Sequence, residues 1–398
     1  MARATPRPTI AIVGGGVGGT VLANLLAREL DKDEAQIVLI DQSGQHIYQP
    51  GWLYIPFNGQ DPQHLERPER SLLRHRIDFE VGVVEQLDRE KQSLLITGHA
   101  GSGSNEALRY NYLVIASGAR IAPEEVPGLP EALADGRHVH HFYTEEGAER
   151  LRQALHDFRG GRIAVAIGGI PYKCPPAPLE FTFMLEEYLR KRGLRERTKI
   201  TYYSPLPRAF SIQSVSDLAT PLLEERGIET RTFFNVAEID DRRHLMRSLE
   251  GEEDAYDLLV IVPPHRGALI AERSGLADAQ GWLPTDRATL EVKGQERIFA
   301  LGDVTDLPVS KSGAAAHFEA SVVAERLIAA IRERTVNPRE GCYDGRVMCF
   351  METGYSQATR IEFDYEHPPV PPKPGWLYHV EKSLFSKAYW YLVPPARV

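Results

Sequence analysis

Three cysteines stand in the chain of 398 residues: Cys174, Cys342 and Cys349. None forms a Cys-x-x-Cys pair, and no His/Cys group has zinc spacing, which sets aside a disulfide scaffold and structural zinc. Any role for these thiols is therefore catalytic. Cys174 lies in Gly168-Gly169-Ile170-Pro171-Tyr172-Lys173-Cys174-Pro175-Pro176-Ala177-Pro178, just ahead of a helix. Proline suits the first helical turn, where its missing N–H costs nothing. A thiol at a helix N-terminus beside Lys173 is expected to have a lowered pKa and to serve as a nucleophile or sulfur carrier. The bland alternative is a buried structural cysteine. The second chemical signal is Gly14-Gly15-Gly16-Val17-Gly18-Gly19. Gly14, Gly16 and Gly19 permit a tight turn and close approach to a pyrophosphate, and a helix start offers it free N–H groups.

These residues need elements to hold them. Residues 9–13 (TIAIV) read as a buried strand, 21–28 show helical periodicity, and 36–40 (QIVLI) form a strand ending at Asp41. Strand, glycine turn, helix, strand and acid together make a dinucleotide site, with Asp41 set to accept from a ribose hydroxyl. Residues 77–97 read as further strands, 101–108 as a small flexible loop, and 110–116 as a strand ending in Ser117-Gly118. A second α/β unit begins near Arg162: strand 163–167, the Gly168 turn, an amphipathic helix over 181–192, and strands 199–203 and 256–262. Residues 298–304 deliver Gly302 and Asp303 at the end of another strand. Lys311 and a small-residue helix over 314–331 follow. The turn after 163–167 has no second G-x-G-x-x-G, so no nicotinamide binding is expected there.

Ala116-Ser117-Gly118 resembles the Ala-Thr-Gly element of two-dinucleotide-domain flavoproteins, with serine in place of threonine. In that group an aspartate placed like Asp303 holds the ribityl chain of FAD. The resemblance makes FAD, rather than NAD, the expected cofactor. Its contacts are expected at Gly14, Gly16, Gly19, Asp41, Gln42, Val84, Ser117, Gly118, Gly302, Asp303 and Lys311.

The length suggests two or three domains. Hydrophobic residues at 42% and charged residues at 25% exclude a disordered chain. The net charge of −9 argues against a nucleic-acid partner. No apolar stretch reaches about 18 residues, so no transmembrane helix is expected. The apolar run 10–13 is too short for a signal peptide, and a cytosolic location is expected. A proline-rich spacer, 368–374, leads into a tail, 376–395 (WLYHVEKSLFSKAYWYLVPP). Leu377, Val380, Leu384, Ala388 and Tyr391 fall near helical spacing, with Lys382 and Lys387 on another side. Aromatic and basic residues together suit a segment lying in the plane of lipid headgroups.

The pieces GGGVGG (14–19), HIYQPGWLY (46–54), YKCPPAPLEF (172–181), FALGDV (299–304) and MCFMETG (348–354) resemble sulfide:quinone oxidoreductases. That family stands beside flavocytochrome c sulfide dehydrogenases and type II NADH dehydrogenases. The resemblance spans most of the chain, and the two cysteine pieces are its specific part. It implies that Cys174 and Cys349 are the redox pair. Hydrosulfide would attack their disulfide or sulfur bridge and leave a persulfide. The freed thiolate, by analogy on Cys349, would reduce FAD, which would pass electrons to a membrane quinone. Lys311 matches a lysine near the flavin pyrimidine ring. The family's third cysteine is missing, which excludes covalent flavin attachment through it. Cys342 matches no family position and reads as structural. His138, His140, His141, His317, Glu180 and Glu319 are candidates for proton transfer, each more ordinarily a core or surface group.

The expected architecture is α/β: two Rossmann-like domains plus a C-terminal membrane-associating segment. The FAD-binding domain spans 1–120 and 290–335. A second domain lacking the NAD fingerprint spans 121–289, and 336–398 carries the redox cysteine and the interfacial tail. The expected partners are hydrosulfide, a membrane quinone, a membrane surface and a second copy of the chain. The expected location is peripheral, on the cytoplasmic side. Alternatives are a flavocytochrome subunit, an NADH:quinone reductase, or a non-catalytic flavin redox sensor.

Overall fold

The computed structural model describes residues 7–98 and 106–397. Strands β1 (Thr9–Val13), β2 (Gln36–Asp41), β3 (Asp78–Val81) and β4 (Tyr112–Ile115) begin one sheet. Strands β5 (Val139–His140), β6 (Gly161–Ile167), β7 (Thr198–Tyr203), β8 (Glu229–Arg231) and β9 (Leu258–Val262) make a second. Strand β10 (Ile298–Ala300) returns to the first. The orders are β10-β4-β1-β2-β3 and β5-β9-β6-β7-β8, parallel throughout. Parallel strands covered on both faces need near-continuous apolar runs, and every residue of β9 is buried. A hairpin of β11 (Val347–Glu352) and β12 (Ala358–Phe363) completes the strands that matter for the site.

Four helices position the chemistry: α1 (Val17–Glu29), α2 (Ala177–Lys191), α3 (Gly313–Ile331) and α4 (Trp376–Leu392). Val21, Leu22 and Leu26 of α1 share a core with Ala320, Val323 and Leu327 of α3. Helix α2 starts four residues before its periodicity predicts. Pro176 caps it and Pro178 sits in its first turn, where no backbone donor is needed. The strand expected over 298–304 stops at Ala300, because Gly302 takes φ +76° and opens a 3₁₀ turn over Gly302–Val304. The loop expected over 101–108 lies partly outside the described residues, and Glu106–Arg109 is a strand. Among the described residues, no helix is long and apolar enough to cross a membrane.

Candidate active site

The glycine loop between β1 and α1 has a different constraint at each glycine. Gly14 has φ +113°, and a Cβ there would lie 2.4 Å from the Ala116 carbonyl oxygen. A Cβ on Gly19 would lie 1.9 Å from the Gly14 carbonyl oxygen. Gly16 instead faces open space, with nothing within 4 Å. Two of the glycines therefore pack the turn, and the third leaves room beside the α1 N-terminus for an anion. Asp41 ties this loop to β2: its Oδ2 accepts from Gly15 N at 2.9 Å. Its Oδ1 accepts from Ser43 N, Ser43 Oγ and Gly44 N, so spare acceptor capacity remains on Oδ2. Among the described residues Ser117 Oγ is buried without a partner, and Gly118 (φ +70°) opens onto free space. An unpaired buried hydroxyl beside an open glycine loop fits a polar dinucleotide such as FAD. Gln42 is exposed. The Val84 side chain packs into the sheet core with Val13, Ile40 and Ile115, leaving only its backbone for a ligand.

Asp303 and Lys311 lie where the sheet meets α3. Burial pushes the Asp303 carboxyl up, against the pull of Lys173 and Lys311. Lys311 is buried, donates to the carbonyls of Asp303 (3.0 Å) and Thr305 (2.6 Å), and covers the Trp282 ring at 3.8 Å. Its own carbonyl accepts the Cys174 N–H at 2.8 Å. The next residue, Ser312, caps α3, and its hydroxyl acts on the Cys349 thiol, lowering its pKa. Two consecutive residues thus hold Cys174, which precedes α2, and Cys349, on β11. An ionised Cys349 would raise the Cys174 pKa, and both are free thiols.

The expected low-pKa thiol is not what the structure contains. Burial, then Glu180 and Cys349, push the Cys174 thiol well above its ordinary value. Burial raises Cys349 to about 11, and the Ser312 hydroxyl only partly opposes this. Cys174 is not at the helix dipole: α2 begins three residues later, and the Cys174 backbone is left-handed with φ +52°. Burial lowers the Lys173 pKa from its ordinary value. Cys342, read as structural, is exposed.

The tail departs from expectation too. Lys382, expected with Lys387 on a side apart from the apolar residues, points inward with a side chain only 13% exposed. It donates to Glu180, which also accepts the Glu352 N–H at 2.8 Å, and it lies 3.9 Å from the Glu352 carboxylate. His379 Nδ1 (3.0 Å) and Tyr54 Oη (3.1 Å) complete the shell of Glu352. Desolvation opposes the Lys382 charge, but Glu180, Tyr54 and Glu352 outweigh it and raise the ammonium pKa well above normal. Sequence reasoning missed Tyr54, Glu352, His379 and Lys382 as a group. The first two lie inside the motif pieces 46–54 and 348–354, the one available signal. Further along α4, Ser386 meets Tyr48 Oη at 2.8 Å, and Tyr389 Oη meets His46 Nε2 at 2.7 Å. His46 Nδ1 contacts Glu69, which accepts from Thr20 of α1 at 2.7 Å.

Of the candidate proton carriers, Glu180 lies in the charge cluster under the cysteines. Glu319 accepts the Gly302 N–H, and burial raises it to about 7. His140 is buried in β5, and burial holds His141 down to about 4, so it is uncharged at neutral pH. The His138 and His244 rings meet tilted, with centroids 4.0 Å apart, and His317 lies on α3 against Phe318.

The family described as pyridine nucleotide-disulphide oxidoreductase matches residues 8–326. The chain belongs to that family. Within the pyridine nucleotide-disulphide oxidoreductases it is 26% identical over 397 residues to the mitochondrial sulfide:quinone oxidoreductase of Mus musculus, covering 96% of this chain and 86% of that one. It is 22% identical over 318 residues to a type II NADH:quinone oxidoreductase of Staphylococcus haemolyticus, over 76% of this chain and 75% of the other. The fold matches the solved sulfide:quinone oxidoreductase from Aquifex aeolicus with a TM-score of 0.84 at 22% identity. That match covers 97% of this chain and 91% of that one.

Proposed function

We propose that this chain is an FAD-dependent sulfide:quinone oxidoreductase with Cys174 and Cys349 as its redox pair. The observation that carries this reading is the shared grip of Lys311 and Ser312 on the two cysteines. In the oxidised state the two sulfurs are joined. Hydrosulfide attacks one of them: a new S–S bond forms, the old one breaks, and the other cysteine leaves as a thiolate carrying the electron pair. When bound, FAD would supply a two-electron acceptor for the thiols and a donor to a quinone. The sulfur leaves as sulfane sulfur or polysulfide after further attack. The nucleophile is the already ionised hydrosulfide, so the attack needs no stored cysteine thiolate, although the raised thiol pKa values slow departure of the leaving cysteine. Gly14, Gly16, Gly19, Asp41, Ser117, Gly118, Gly302, Asp303 and Lys311 hold the cofactor, with Gln42 and the Val84 backbone at its edge.

A quinone is reached from lipid, and α4 provides the contact. Trp376, Leu377, Val380, Leu384, Phe385 and Tyr391 are exposed on it, while Lys382 and His379 turn inward. An apolar outer face on a helix anchored by polar inner contacts fits the interface plane of a bilayer, on its cytoplasmic side.

The test is quinone reduction by flavin-loaded protein with sulfide or NADH as donor, beside Cys174→Ser. Sulfide-driven turnover that falls on the order of 100-fold or more in a variant retaining its flavin supports the reading. NADH-driven turnover overturns it. Flavin bleaching by sulfide without quinone reduction replaces the quinone with another acceptor.

A further inference from the structure

We propose that Tyr143, Lys173 and His265 form a binding site for hydrosulfide ahead of Cys174, matched to an anion that still carries a proton. The inference rests on the sulfide-oxidising reading above. The three residues follow β5, β6 and β9, and β9 lies between the other two in the second sheet. All three therefore leave the carboxyl end of neighbouring parallel strands, where α/β sheets bind their ligands. The turn after β6 lacks a pyrophosphate-binding glycine loop and supplies Lys173 and Cys174 instead.

The polar atoms there are unmatched by the protein. Tyr143 Oη and His265 Nε2 are buried without hydrogen-bond partners among the described residues, and each residue is 5% exposed. Buried polar groups left unpaired are costly and call for a ligand. The two rings meet edge to face with centroids 5.0 Å apart. His265 Nδ1 lies 2.8 Å from the Pro263 carbonyl, which can only accept, so Nδ1 carries the proton. Nε2 is then a bare acceptor. Burial, then the charge of Lys173, holds the ring neutral by depressing it to about 3. Burial keeps the Tyr143 phenol protonated, and an ionised Cys174 would raise it further. Lys173 gives one N–H to Gln49 Oε1 at 3.2 Å and keeps two others.

This set offers O–H and N–H donors and one acceptor. Hydrosulfide matches both kinds: its sulfur accepts from Tyr143 and Lys173, and its S–H donates to His265 Nε2. Bromide is also a soft monoanion, but it has no proton to donate, so it probes the donors without the acceptor.

The experiment compares flavin-loaded wild type, His265→Phe and Tyr143→Phe. Sulfide KM and kcat are measured, with bromide as a competing anion, and crystals are soaked in bromide for its anomalous signal. His265→Phe is expected to raise the sulfide KM about 10-fold, the effect of one lost hydrogen bond, with kcat largely kept. Bromide inhibition should stay unchanged in that variant. Tyr143→Phe is expected to weaken both anions and to lose bromide density. Unchanged sulfide KM in both variants overturns the site, as water then satisfies these atoms. Loss of flavin from either variant also overturns it, because the residues then serve the cofactor. If wild type oxidises no sulfide, the functional reading and the hydrosulfide assignment fail together. Bromide density at Tyr143 and Lys173 then supports an anion site alone, and its absence removes that as well.

Discussion

Glu319 shows how much one buried carboxyl can control. It sits fully inside α3 under Gly302, and burial lifts it from 4.5 to about 7. The folded protein therefore keeps a proton that the unfolded chain releases above 4.5. The stability this lends is present in full below about 4.5 and is lost as the pH rises through about 7. Glu319→Gln removes that dependence. The unfolding free energy of wild type minus variant should fall by up to about 3 kcal/mol across this window, followed by chemical denaturation at several pH values. A flat difference would contradict the assignment. Cys174 carries a second residue-scale expectation. Its left-handed backbone is held by the Lys311 carbonyl and costs a non-glycine residue on the order of 1 kcal/mol. Cys174→Gly should be more stable than Cys174→Ala by about that amount, with both inactive. Equal midpoints in urea would show that the strain is absent.

At the scale of elements, the turn between β1 and α1 separates packing from binding. Gly19→Ala forces a Cβ into the Gly14 carbonyl, whereas Gly16→Ala meets nothing and keeps an ordinary φ of −78°. Gly16→Ala should fold with the wild-type circular dichroism spectrum and bind FAD weakly. Gly19→Ala should fail to fold around β1. A Gly16→Ala protein with full flavin content would move the pyrophosphate elsewhere. Helix α4 is the other decisive element, because it brings Lys382 to two carboxylates that are each 3% exposed. Removing one partner of a buried ion pair costs about 3–5 kcal/mol, since the other is left uncompensated. Lys382→Met should lose about that much, and adding Glu180→Gln should recover part of it. Additive losses in the double variant would mean the pair is not coupled.

The whole molecule joins two parallel sheets to a helix that faces both ways. Through Tyr389, His46, Glu69 and Thr20, the inner side of α4 is hydrogen-bonded to α1, the helix of the glycine loop. Its outer side is apolar and exposed. Leu384→Glu, on that outer side, should reduce co-sedimentation with phospholipid vesicles while leaving the melting temperature within a degree or two, as surface changes usually do. Unchanged vesicle binding would assign the apolar face to another partner.

The sequence by itself determined the elements and the chemical types. Each strand–turn–helix unit is written in a few adjacent residues: the apolar run of β1, the glycines 14–19, the acid at 41. Local periodicity needs no distant partner, so these were legible, and so were Cys174 and Cys349 as candidate thiols. The tertiary structure alone decided their electrostatics. A cysteine near a helix start with a lysine beside it reads as a low-pKa thiol. In the fold, burial outweighs both influences, and the charge that acts most strongly on the thiol is the Glu180 carboxylate of α2. Lys382 reads as a surface cation at helical spacing, yet it reaches Glu180 across 202 residues of chain. Desolvation and long-range pairing depend on what surrounds a group in three dimensions, and no spacing along the chain encodes that.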